Sequence, residues 1–279
     1  MIHAPKRTGR DFEVSAADGV RIRGTRYDGG ANRLVLVHSL AMDRGFWNRA
    51  IEHLPAEWSI IAFDCRGHGA SDKPGGAYAI ETFGDDVAAV LDFAGWPSAV
   101  IAGASMGGCV TLAFAARHPA RAQGLGLFDT TAWYGADAPA AWEKRACAAE
   151  QEGIASLIDF QVTRWFTEEF RKTHPDVAKS CVDVFVANDI PAYAATCRML
   201  GRANLTDSLQ KFAMPVRIVV GEEDYATPIS MAQTLQSHID GSTLRIVPRA
   251  RHLSPVEVPE TIAAELIALF DTLESRART

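Results

Sequence analysis

Short apolar runs recur along the chain at the lengths of buried strands, and between them the apolar positions fall at helical intervals. Leu34-Val35-Leu36-Val37, Ser59-Ile60-Ile61-Ala62-Phe63 and Val216-Arg217-Ile218-Val219-Val220 are almost free of charge, as expected of strands covered on both faces of a parallel sheet. Residues 80–93, 106–117 and 259–273 have the period of helices instead. Ahead of the first buried strand, residues 12–15 and 20–27 flank Asp18-Gly19, a turn pair that favours an antiparallel hairpin at the sheet edge. A helix over 46–54, a strand over 123–128, a helix around Met231 and a strand over 244–247 complete the series. Alternating strand and helix predict a doubly wound, mostly parallel α/β sheet.

The alternation is interrupted once. Residues 131–212 read as helical segments rich in Trp, Phe, Ala and charge, punctuated by Pro139, Pro175 and Pro191. The expected organisation is an α/β core over residues 1–130 and 213–279, with a helical cap inserted at 131–212. No internal repeat or low-complexity tract is present, and the tail from Ser275 is expected to fray.

The most informative stretch is Val100-Ile101-Ala102-Gly103-Ala104-Ser105-Met106-Gly107-Gly108, where a buried strand meets a Gly-x-Ser-x-Gly turn and then a helix. By itself that five-residue pattern is common. In a strand-turn-helix setting it is a nucleophile elbow, whose glycines permit a turn so sharp that the serine stands at its tip. The helix beginning at Met106 then aims its N–H groups and positive dipole end at the reacting centre, with the Met106 N–H as one oxyanion donor.

A serine hydroxyl is a weak nucleophile at neutral pH and needs a base, itself oriented by a third group. His252 follows the last expected strand, and Asp224 follows the strand at 216–220, so both fall at the carboxyl edge where ligands collect in open α/β sheets. The order Ser105, Asp224, His252 is the one in which a nucleophile elbow on an α/β sheet meets its acid and base, and differs from the orders of the other serine-triad scaffolds. Asp129, at the end of the strand over 123–128, is the rival acid, with Glu223 behind it. His38 and His68 also lie near strand ends, where structural roles account for them, and His118 precedes Pro119 at a helix end. The second oxyanion donor belongs to the loop after the first buried strand, where the Leu40 N–H fits. No spaced cluster of His, Asp or Glu suggests a metal.

Composition narrows the partners. A net charge of −6 gives no basic field for nucleic acid or anionic lipid. The uncharged run over residues 99–116 has the length of a membrane span but contains three glycines and the Ser105 turn, so no membrane partner is expected. The five cysteines (Cys65, Cys109, Cys147, Cys181 and Cys197) are scattered and read as reduced, buried thiols. The segment Met1-Ile2-His3-Ala4-Pro5-Lys6-Arg7 lacks the apolar stretch of a secretory signal, so a cytoplasmic protein is expected. Association between copies of the chain is left open.

With these residues in place, the chain resembles the α/β-hydrolase superfamily, and within it the 3-oxoadipate enol-lactonases of aromatic catabolism. The likeness runs from about Leu34 to Phe270. It includes Ser39-Leu40, Arg66-Gly67-His68-Gly69-x-Ser71, Trp165-Phe166-Thr167-x-Glu169-Phe170, Asp224-x-Ala226-Thr227-Pro228 and His252-Leu253-Ser254-x-Val256-Glu257. His38 and Ala41 depart from it, standing where these lactonases tend to have asparagine and glycine. The resemblance implies the roles assigned to Ser105, Asp224, His252, Leu40 and Met106, a small lactone or ester as substrate, and no cofactor. A substrate with a carboxymethyl arm would call for a cation, for which Arg145, Arg164 and Arg251 are candidates. Trp133, Tyr134, Trp142 and Trp165 are candidates to line the pocket, some of them serving to pack the cap on the core. A general carboxylesterase, a cofactor-free perhydrolase related to the haloperoxidases, and a ligand-binding protein that kept the fold remain alternative readings.

Overall fold

The computed structural model describes residues 7–278. Strands β1 (Arg10–Ser15), β2 (Arg21–Tyr27), β3 (Arg33–Val37), β4 (Ser59–Asp64), β5 (Ala99–Ala104), β6 (Ala122–Phe128), β7 (Val216–Gly221) and β8 (Thr243–Val247) form one sheet in the order β1-β2-β4-β3-β5-β6-β7-β8. β1 pairs antiparallel with β2, and β2 with β4, so the hairpin occupies one edge. All the pairs from β4 across to β8 are parallel. Every residue of β4 and β5 is buried, which requires cover on both faces of the sheet and explains why these strands have no polar alternation.

Two helical pairs supply the cover. Helix α1 (Asn48–Ile51) packs with α11 (Pro259–Ala277), and α2 (Ile80–Ala94) with α3 (Met106–Arg117). Gly84 sets the closeness of the second pair, because a Cβ there would lie 2.9 Å from the Phe114 amide nitrogen. Ile80, Phe83, Val87, Val90 and Leu91 form the buried stripe of α2, and Gly95 ends that helix in the left-handed region at φ 67°.

Between β6 and β7 lie α4 (Ala138–Glu152), α5 (Ile158–Trp165), α6 (Glu168–Thr173), α7 (Pro175–Val186) and α8 (Ile190–Arg202). Helices α4 and α8 are pinned together by Arg198, which forks onto both Glu143 and Glu150 at 2.8–2.9 Å. Beneath them, Arg66 makes a buried fork with Asp86 at 2.6 and 2.7 Å and reaches Asp18, tying the loop after β4 to α2 and to the edge hairpin.

Three expectations change. The helix expected over 46–54 is a 3-10 turn, Arg44–Trp47, followed by the single turn of α1. The Asp43 carboxylate caps Gly45 and starts the turn early, and Pro55 biases its predecessor away from helical geometry and closes it. The tail is helical beyond Ser275: α11 continues to Ala277, its last turns joined by Ser275 Oγ donating to the Asp271 carbonyl and by an Arg278–Glu274 pair. Cys147 lies on the half-exposed face of α4, whereas the other four thiols are buried. No helix among the described residues is long and apolar enough to cross a membrane. The reading of residues 1–6 lies outside the described residues.

Candidate active site

The elbow is built as its glycines require. A Cβ on Gly103 would overlap the Gly107 carbonyl, and one on Gly107 would overlap the Val37 carbonyl. Ser105 itself takes φ 53°, a conformation few side chains adopt, held by its N–H donating to the Phe128 carbonyl (2.9 Å) and by Thr130 Oγ1 donating to its carbonyl (2.7 Å). The hydroxyl is thereby presented at the junction of β5 and α3.

His252, in the loop between β8 and α10 (Ser254–Glu257), places Nε2 2.8 Å from Ser105 Oγ and Nδ1 2.8 Å from Asp224 Oδ2. Nδ1–H donating to the carboxylate leaves Nε2 free to accept the serine proton. Asp224 is braced in turn: Oδ1 accepts the N–H groups of Ala226 (2.7 Å) and Thr227 (3.0 Å), and Oδ2 accepts Thr227 Oγ1 (2.8 Å). Burial alone would raise the Asp224 carboxyl, but the His252 imidazole and the Thr227 donors outweigh it and hold the group below its ordinary value.

The rival acid has a different task. Asp129 is fully buried, and its two carboxyl oxygens accept the N–H of Gly221 (3.1 Å) and of Ser254 (3.0 Å), joining the end of β7 to the His252 loop. Burial, with Asp224 nearby, pushes its carboxyl well above the usual range. His38 and His68 are likewise internal supports: His38 Nδ1–H donates to the Ser39 carbonyl and Nε2 accepts the Cys65 N–H, while His68 Nδ1–H donates to the Arg66 carbonyl. Burial pushes both imidazoles down, His68 to about 3.

Ser105 and His252 open into a cavity whose walls include Ser39, Leu40, Tyr134, Trp142, Arg145, Gln161, Arg164 and Trp165. Of the seven cap and loop residues expected near substrate, five line it and two do not. Trp133 points outward, 43% exposed, with its backbone bridged to Asn204. Arg251 serves as a clamp: its guanidinium donates to the carbonyls of Thr163 and Phe166 and pairs with Glu223 at 3.3 Å. Arg145 donates to Tyr193 Oη (2.6 Å) and lies over the Trp142 ring; with the Gln161 carboxamide oxygen turned towards it, that oxygen accepts at 2.6 Å. Arg164 stacks on Phe160 and Tyr225. Among the described residues neither Arg145 nor Arg164 has a carboxylate partner within ion-pair distance, and burial together with the Arg145 charge presses Arg164 below its ordinary value. Two cations in one small cavity repel each other and favour an anionic guest. No group of three or more His, Cys, Asp or Glu among the described residues could hold a metal.

Sequence reasoning did not single out Gln161 or Tyr193 and gave no role to Thr227, which it quoted only within a motif. The last was legible, because an Asp followed by a hydroxyl residue three positions on, then proline, has the spacing of a side-chain-capped turn. Gln161 and Tyr193 had no local signal, since each meets Arg145 from a different helix.

Comparison with known proteins adds to this geometry. Residues 32–259 match the family model described as alpha/beta hydrolase fold. The 3-oxoadipate enol-lactonase 2 of Acinetobacter baylyi is 32% identical over 227 residues, spanning 81% of this chain and 84% of that protein. The crystal structure of the enol-lactonase from Burkholderia xenovorans LB400 superposes with a TM-score of 0.87 at 30% identity, covering 93% of this chain and all of that one. A thermophilic esterase from Thermogutta terrifontis superposes with a TM-score of 0.88 at 26% identity, over 95% of this chain and 99% of that one.

Proposed function

The chain belongs to the alpha/beta hydrolase fold family, and from that premise we propose that it hydrolyses a small lactone or ester bearing a carboxylate, through an acyl-enzyme on Ser105. The observation that carries this reading is the relay at 2.8 and 2.8 Å from Ser105 through His252 to Asp224, opening into a cavity with two guanidiniums that lack carboxylate partners among the described residues. His252 takes the Ser105 proton as Oγ attacks the carbonyl carbon and returns it to the departing oxygen. Asp224 keeps the imidazole in the tautomer this requires and stabilises the imidazolium. The backbone N–H groups of Leu40 and Met106, both at the rim of the elbow, stabilise the oxyanion. Water then repeats the sequence on the acyl-enzyme.

Arg145 and Arg164 hold the substrate's carboxylate, and the tethered leaving arm of a lactone stays between Tyr134 and Trp142 while water enters. The similarity to the two enol-lactonases supports a ring-closed substrate such as 3-oxoadipate enol-lactone. An open-chain ester is the second reading, favoured by the likeness to the thermophilic esterase. Steady-state hydrolysis of a panel tests both: the enol-lactone, a neutral lactone, and open-chain esters with and without a terminal carboxylate, with Ser105→Ala as the blank. The expected result is at least about tenfold higher kcat/KM for the carboxylate-bearing member of each pair. Equal rates within each pair would remove the carboxylate claim, and undiminished turnover by the blank would remove the mechanism.

A further inference from the structure

Tyr134 lines the same cavity as Ser105 and His252, and its phenol interacts with both the Ser105 hydroxyl and the Cys109 thiol. Its position is fixed from behind. Thr131 Oγ1 accepts the Trp133 N–H (3.2 Å) and donates to the Trp133 carbonyl (2.8 Å), Trp133 is bridged to Asn204, and the Tyr134 ring meets Trp142 edge-on at 5.2 Å. Cys109 Sγ–H is already committed to the Thr131 carbonyl at 3.2 Å, so the sulfur can offer the phenol only a weak acceptor. Turning the phenol hydrogen from sulfur to an oxygen therefore forfeits little. Burial, reinforced by Cys109, pushes the phenol well above its ordinary range, so it remains a donor throughout the working pH.

Resting on the hydrolase reading above, we propose that Tyr134 is a further catalytic residue, which donates a hydrogen bond to the departing oxygen as the acyl–oxygen bond breaks. In that step the Ser105 Oγ–carbonyl bond forms and the bond to the leaving oxygen breaks. The proton that ends on the leaving oxygen comes from Ser105 by way of His252. Tyr134 keeps its own proton and stabilises negative charge that exists on the leaving oxygen only near the transition state. The oxyanion donors Leu40 and Met106 act on the carbonyl oxygen, so the two contributions are separable by leaving group.

The test is kcat/KM of Tyr134→Phe and the parent on the ethyl and p-nitrophenyl esters of the same short acid, with Ser105→Ala alongside. Because kcat/KM reports steps up to acylation and the acyl part is shared, the ratio isolates the leaving oxygen. An alkoxide needs the donor and a nitrophenolate hardly does. The expected result is a loss of about 10- to 100-fold on the ethyl ester against less than about threefold on the nitrophenyl ester. Both substrates are read on one preparation, so any misfolded fraction cancels in the ratio. Equal losses, or none, overturn the role of Tyr134 while Ser105-dependent turnover leaves the hydrolase reading standing. Absence of Ser105-dependent hydrolysis in the parent overturns both.

Discussion

The carboxyl edge of the sheet and the cap wall that faces it reach the same cavity by different means. On the sheet edge two of the proposed reacting groups are anchored through hydrogen bonds to the backbone: Ser105 by the Phe128 carbonyl and Thr130, and Asp224 by the amides of Ala226 and Thr227. On the cap wall, Trp142, Arg145 and Arg164 are positioned by rings and by neighbouring side chains. Backbone anchors leave the chemistry little freedom, whereas side-chain anchors let the guest be changed without disturbing the reaction. Variants on the sheet edge should therefore lower kcat on every substrate, variants of Arg145 and Arg164 should sort substrates by charge, and Tyr134, the one cap-wall residue proposed to act on the reaction, should sort them by leaving group.

The largest effect is expected at the nucleophile: Ser105→Ala should lower kcat by on the order of 10⁴ to 10⁶ with the melting temperature kept. Turnover within tenfold of the parent would break the sheet-edge side of the comparison outright. Asp224→Asn, read by the same assay, should cost about 10⁴ in kcat through the wrong imidazole tautomer. If Asp129→Asn proves the more damaging to kcat, the acid is misassigned. Next in size, Arg164→Met should raise KM for a carboxylate-bearing ester by about 10- to 100-fold and leave its neutral analogue within about threefold, measured by steady-state kinetics. A uniform loss would show that the cap wall serves the reaction itself.

Smaller effects separate support from function. Asp129→Asn should lose about 1–3 kcal/mol in urea unfolding, because both carboxyl oxygens accept backbone N–H groups and an amide NH₂ must confront one of them. Arg251→Met should lose about 1–2 kcal/mol in the same measurement and show no preference for uncharged substrates. A charge-dependent KM in that variant would return Arg251 to the pocket.

The same division explains what could be read in advance. The elbow, the residues brought together as Ser105, His252 and Asp224, and the parallel sheet were legible because each is a local pattern: small residues where a Cβ cannot fit, an apolar run of strand length, an acid or a histidine just past a strand. His38, His68 and Asp129 shared the last of these signals. Only their hydrogen bonds, to backbone amides and carbonyls, distinguish them from His252 and Asp224. The cap was legible as helical but not as a surface. Whether an arginine faces a cavity, as Arg164 does, or closes on carbonyls from its own neighbourhood, as Arg251 does, depends on how α5 lies against the His252 loop, and no window of sequence contains both. Trp133 and Tyr134 show the limit at single-residue scale: adjacent aromatics, one turned outward and one inward.

The Leu253 N–H donates to the Trp165 carbonyl at 3.1 Å, that of His252 to the Arg164 carbonyl at 3.4 Å, and Glu257 accepts the N–H and hydroxyl of Thr167. His252, the proposed general base, thus hangs partly from the helices between β6 and β7. For enzyme engineering this means that the two parts are not interchangeable modules: grafting a foreign cap onto this core would replace part of what holds His252 along with the pocket, and a capless version is expected to be a slower catalyst before it is a more permissive one.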